Sequence, residues 1–245
     1  MKENDLSFYD FNGVNIVGTV FGKGCVLPKD RNFLKNVCNA SIHTTIFDSY
    51  DLSEYDFTDV LIKDAKFSGH CFLPKDENLF LNVKDRDISG CHFYNLDLSM
   101  YNFNDVDVES VYFYGETKLP NINTFIGSIK NTRLKDIMFP KGDYNYWIVD
   151  RNKIYEEISF SFDSILPEYS SFIKDILCGL RDKPYLSEFC YLNILTRNVV
   201  QNIHKYDLNG VKIDLNDFAG TLEDKQIAYL NIRYRDEICK NILLP

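Results

Sequence analysis

The residues with the most chemical promise are two adjacent pairs, His70-Cys71 and Cys91-His92. If one turn of the chain brought them together, two thiolates and two imidazoles would offer zinc a donor set it favours. The repeat described below gives Cys71 a plainer role. It matches Cys25, 46 residues earlier, where Gly24 stands in place of the histidine. The segment DLNGVKID from Asp207 superficially resembles a calcium loop, but Gly210 is its fourth residue and no Glu stands at the twelfth, whereas such a loop needs Gly at the sixth and Glu at the twelfth. Cys239, in YRDEICKNIL, raises thioester chemistry, yet a cysteine on a helical face is more simply a core residue. No G-x-S-x-G, phosphate-cradling glycine loop or H-E-x-x-H occurs. The sequence therefore assigns no catalytic residue, no metal and no cofactor, and the expected protein is not an enzyme.

Charge offers the remaining candidate. The formal net charge is -9, which disfavours direct nucleic-acid binding, because phosphate affinity comes from Lys and Arg displacing counterions. From Asp87 to Thr117 the chain has six acids and no Lys or Arg. Among them Asp97, Asp105, Asp107, Glu109 and Glu116 are the candidate partner-binding residues, for a protein with a basic surface. The plainer alternative is a solvated, solubilising face. The opening MKENDLSFYD lacks an apolar signal region, and no stretch approaches the length of a membrane span. A cytoplasmic protein with no membrane partner is expected. Seven cysteines, none in a C-x-x-C, point to free thiols.

Two nested periods must position these side chains. VLPKD at 26–30 returns as FLPKD at 72–76 and, decayed, as KLP at 118–120, while DLSFYDFNGV, DLSEYDFTDV and DLSMYNFNDV start at Asp5, Asp51 and Asp97, a period of 46. Within each unit apolar residues stand five apart: Ile42, Phe47, Leu52, Phe57, Ile62 and Phe67, then Ile88, Phe93, Leu98, Phe103, Val108 and Phe113, with Leu6, Phe11, Ile16 and Phe21 in the first copy. Five is neither the helical 3.6 nor the strand's 2, so a chain that turns a corner every five residues is implied. A leucine-rich repeat of two 23-residue turns is the rival, but 23-residue offsets would lay Leu27 on Tyr50 and Ile42 on Ala65.

Segments such as DLSEY, DFTDV, LIKDA and KFSGH resemble the pentapeptide-repeat family over roughly residues 5–139. That family's square right-handed coils put Leu or Phe at the centre of each side, and the small inward residue it uses two positions earlier is matched by Ala40, Val60, Ala65, Val106 and Val111. The resemblance implies a mainly β solenoid, a right-handed pentapeptide-like β-helix over 1–140, and the helical spacing that follows it makes 141–245 an α-helical C-terminal region. Tyr9, Tyr50, Tyr55 and Tyr101 depart from the pattern, being too large for a tight square interior, and the 16-residue LPKD segments break the spacing. Beyond Pro140 helical spacing is expected at 167–180, at 184–206 and from Thr221. YDLNGVKIDLNDFAG from Tyr206 echoes YDFNGVNIVGTVFG from Tyr9, so a further coil fragment at 206–220 is expected, with chance resemblance as the alternative.

Together these readings make a non-enzymatic protein-binding module, an adaptor or inhibitor with a rigid surface, the first expectation. The resemblance implies a second, a DNA mimic acting on an enzyme such as DNA gyrase. A small effector is the third. The abundance of Asn, Lys, Ile and Tyr hints at a bacterial or phage source.

Overall fold

The structure is a computed structural model that describes residues 5–131, 133–135, 137–150, 152–156, 158–161, 164–167, 172 and 203–207. It divides into two compact units, Met1–Asn131 and Thr132–Pro245.

The five-residue spacing has a backbone cause. Asn39, Thr44 and Ser49 have φ of 57, 56 and 63°, and the left-handed positions recur at Asp59, Asp64 and Gly69, at Asp85, Gly90 and Asn95, and at Asp105, Ser110 and Gly115. Asn, Asp and Gly tolerate this conformation best. Aspartates supply a second device. Asp51, Asp56, Asp97 and Asp107 accept the backbone N–H two residues ahead, at 2.9 to 3.1 Å, a bond that lets the side chain stand in for a backbone turn. Between corners the chain is extended, and the central apolar side chain of each run points inward. Both five-spaced series from Ile42 to Phe67 and from Ile88 to Phe113 are buried throughout.

In the first unit the strands are short: β1 (Val20–Phe21), β2 (Ile46–Asp48), β3 (Lys66–Ser68), β4 (His92–Tyr94) and β5 (Tyr112–Tyr114). Val20 pairs with Ile46, Ile46 with Lys66, Lys66 with His92 and His92 with Tyr112, all parallel. The steps alternate between 26 and 20 residues, so each 46-residue unit makes two strands. This register stacks Phe21, Phe47, Phe67, Phe93 and Phe113 with ring centroids 5.4 to 6.0 Å apart. The LPKD segments fold as helices, α1 (Phe33–Asn36) and α2 (Leu79–Asn82), which bury Phe33 and Leu34 or Leu79 and Phe80. The Asp of each Pro-Lys-Asp starts the turn: Asp30 accepts from the Asn32 N–H and the Asn36 amide, Asp76 from the Asn78 N–H and the Asn82 amide. The decayed third copy leads into α3 (Ile122–Ser128), where the Asn121 side chain caps the Asn123 and Thr124 N–H groups.

The expected pentapeptide-like β-helix with an α-helical C-terminal region is overturned by this topology. The strands pair all-parallel, in the order β1-β2-β3-β4-β5 in the first unit and as parallel pairs in the second, with a few short helices, an α/β-like arrangement. The five-residue rule has no place for the 16-residue segments, and these take helical form because their Asp residues cap turns and their Phe-Leu pairs need burial.

Strand pairing also continues past Pro140, where a helical region with one coil fragment at 206–220 was expected. In the second unit β6 (Arg133–Lys135) pairs with β8 (Ile154–Glu156), and β7 (Met138–Phe139) with β9 (Ser159–Phe160). Phe139 stacks on Phe160 at 5.1 Å, and Trp147 packs against both and against Tyr155 and Phe172. The helices expected at 167–180, 184–206 and from Thr221, and the coil fragment at 206–220, lie almost wholly outside the described residues. Among the described residues no helix is long and apolar enough to cross a membrane.

Candidate protein-binding surface

The acidic band of the sequence does not fold into a row of unpaired carboxylates. Asp107 is the register partner of Asp87, which does bring two acids side by side. Cations flank both: Lys63 lies 3.9 Å from Asp87, Lys130 lies 3.9 Å from Asp107, and the Asn131 amide donates to Asp107 at 3.0 Å. Asp105 pairs with Arg86 at 3.1 Å, and Asp97, on a different register row, pairs with Lys118 at 3.6 Å. Bonds from the Ser99 side chain and backbone, with Lys118 beside it, hold the Asp97 carboxyl below its usual range. Glu109 and Glu116 are exposed and belong to no ion pair among the described residues. Arg86 and Lys118 flank the window that lacks Lys and Arg, and Lys130 lies 13 residues beyond it. A linear count misses cations that folding returns to the next turn.

The tyrosines that depart from the repeat have a role in holding the loops. Tyr55 donates its hydroxyl to the Pro28 carbonyl at 2.6 Å, and Tyr101, 46 residues on, donates to Pro74 at 2.9 Å. Tyr50 reaches the Gly22 and Cys25 carbonyls. Burial raises these phenols, Tyr101 to about 12, so they remain donors at any ordinary pH. The cysteines serve similarly. Cys71 donates to the Phe47 and Ser68 carbonyls and Cys91 to Ile62, and burial pushes both thiols up. A raised thiol is a poor nucleophile and a poor metal ligand. Among the described residues no group of three or more His, Cys, Asp or Glu could hold a metal ion.

Among the concave surfaces of the described residues, one is lined mainly by apolar side chains. A groove of about 450 Å³ runs between the FLPKD turn and the DLSMY turn, with Phe72, Leu73, Leu96, Met100 and Tyr101 in its walls and Asp97 at its rim. Phe72 is 63% and Met100 48% exposed. Tyr101, bonded to Pro74, ties the two walls together. No protein-family model, curated protein or solved structure matches the chain. The resemblance to pentapeptide repeats thus has no support from any family model, and the site must be read from its own residues.

None of the five acids proposed from the sequence builds this groove except Asp97. Phe72 and Met100 were missed, although the 46-residue alignment held the signal. Phe72 stands where the other copies have Val26 and Lys118, and Met100 where they have Phe8 and Glu54. A position that accepts Lys or Glu in one copy faces water, so an apolar residue there is exposed.

Proposed function

We propose that the protein is a non-enzymatic binding module whose groove at Phe72 and Met100 receives an apolar side chain of a protein partner. The observation that carries this reading is the pair of solvent-exposed apolar side chains over a preformed groove, between turns held by the Tyr101–Pro74 bond. Burying an aromatic or aliphatic anchor in such a pocket is how a few residues come to dominate an interface. The partner with a basic surface, expected from the acidic band, retains Glu109 and Glu116 as its contacts, while Asp97, Asp105 and Asp107 already face Lys118, Arg86 and Lys130. A DNA mimic needs unpaired carboxylates at phosphate spacing, so those ion pairs favour the groove over that reading.

Display of random peptides against the full chain tests this directly. Selected peptides should carry an aromatic or aliphatic anchor and should lose binding to Phe72→Asp and to Met100→Lys. Binders that ignore both substitutions but fail against Glu109→Lys and Glu116→Lys would move the site to the acids.

A further inference from the structure

Among the described residues β1 is an edge strand, with a neighbouring strand on one side only. The Ile46 N–H donates to the Thr19 carbonyl at 2.9 Å, and in that ladder the intervening residue, Val20, directs its own N–H and C=O away from β2. Proteins ordinarily blunt such an edge with Lys, Pro or a cover. Residues 5–22 contain no Lys, no Arg and no Pro. They instead present apolar side chains to solvent: Phe8 is 88%, Tyr9 65% and Val20 62% exposed, with Val14 and Val17 also in the open.

We propose that this first turn, residues 5–26, is a self-association surface on which β1 of one molecule adds to β1 of a second copy of the chain. Two features of the turn favour a copy over a foreign strand. Charge is the first. Asp5 and Asp10 against Lys23 leave this turn at -1, while the chain as a whole carries -9, so two copies meet here with little of the repulsion their other surfaces would bring. Size is the second. Of its 22 residues all but Ile16 and Phe21 are at least partly exposed, so the turn can supply about 20 residues, the lower end of what one side of a stable interface uses. A two-fold axis through the edge pairs Val20 with its symmetry mate antiparallel, satisfies both backbones at once and leaves no further edge there, so the assembly stops at two.

This surface is separate from the Phe72 groove, and the test keeps them apart. Light scattering coupled to gel filtration, run on the full chain over a range of micromolar concentrations, should show a dimer. Val20→Lys should raise the dissociation constant by about tenfold or more, with the circular dichroism spectrum unchanged. Phe8→Ser, at the most exposed of these side chains, provides a second disruption if the first variant folds poorly. Phe72→Asp should leave the dimer intact. A wild-type monomer throughout the range, a dimer indifferent to both Val20→Lys and Phe8→Ser, or an open-ended series of oligomers would each overturn the proposal.

Discussion

Tyr9, Tyr55 and Tyr101 occupy one place in three copies of the same repeat, and their fates differ. Tyr55 and Tyr101 reach back to the carbonyls of Pro28 and Pro74, whereas Tyr9 stands mostly in solvent. Their neighbours follow suit. Leu52 and Leu98 are fully buried and Leu6 is half-exposed; Phe57 and Phe103 are buried and Phe11 is half-buried. The residues are alike, so the difference lies in what packs against them. Among the described residues a turn in the middle of the sheet has a neighbour on each side, and the first turn has one. Repeat sequence sets what a side chain is suited to do, and its place in the stack sets whether it does it.

Breaking the central turns should have the largest effect. Phe57→Ala and Phe103→Ala should each cost roughly 3 to 5 kcal/mol, read as a lowered urea midpoint, because both rings are enclosed by neighbouring turns. A glycine pair sharpens the comparison. Gly90 has φ 67°, and an added Cβ would run into the Asp64 carboxylate, while Gly13, at φ 70°, has nothing within 4 Å. Gly13→Ala should show only the left-handed backbone cost, about 1 to 2 kcal/mol, and Gly90→Ala more than that in the same assay.

Hydroxyl removal comes next. Tyr101→Phe strands the Pro74 carbonyl and should cost about 1 to 2 kcal/mol, whereas Tyr9→Phe should change the melting temperature within error. The smallest effect is expected from a carboxylate. Asp97 has a depressed pKa in the folded chain, so its contribution is complete above the unfolded value of about 3.9 and is lost as pH falls through the folded value. The gap in melting temperature between wild type and Asp97→Ala should therefore be small and constant at neutral pH, then close as the solution is made more acid than pH 4. A gap that widens on acidification would show that another group holds this turn.

The five-residue rhythm, the 46-residue period and the inward series were legible in the sequence because spacing and burial are directly coupled through the corners. The topology was not. Whether the 16-residue LPKD segment would be strand, loop or helix depends on Asp30 and Asp76 capping turns that a spacing rule cannot see. The acids misled for a related reason: Asp97 and Lys118 are 21 residues apart in the chain and partners in the fold. Phe72 and Met100 were visible in the alignment of copies, but their exposure becomes evident only once Lys118 and Glu54 are recognised as marking outward positions.

The measurement that bears most directly on this account compares Phe11→Ala with Phe103→Ala by urea denaturation in the Val20→Lys background, where self-association cannot cover the first turn. The two residues are equivalent in the repeat, so a model based on sequence alone expects equal losses. If burial between two neighbouring turns is what stabilises the chain, Phe103→Ala should lose at least twice as much as Phe11→Ala, whereas equal losses would contradict it.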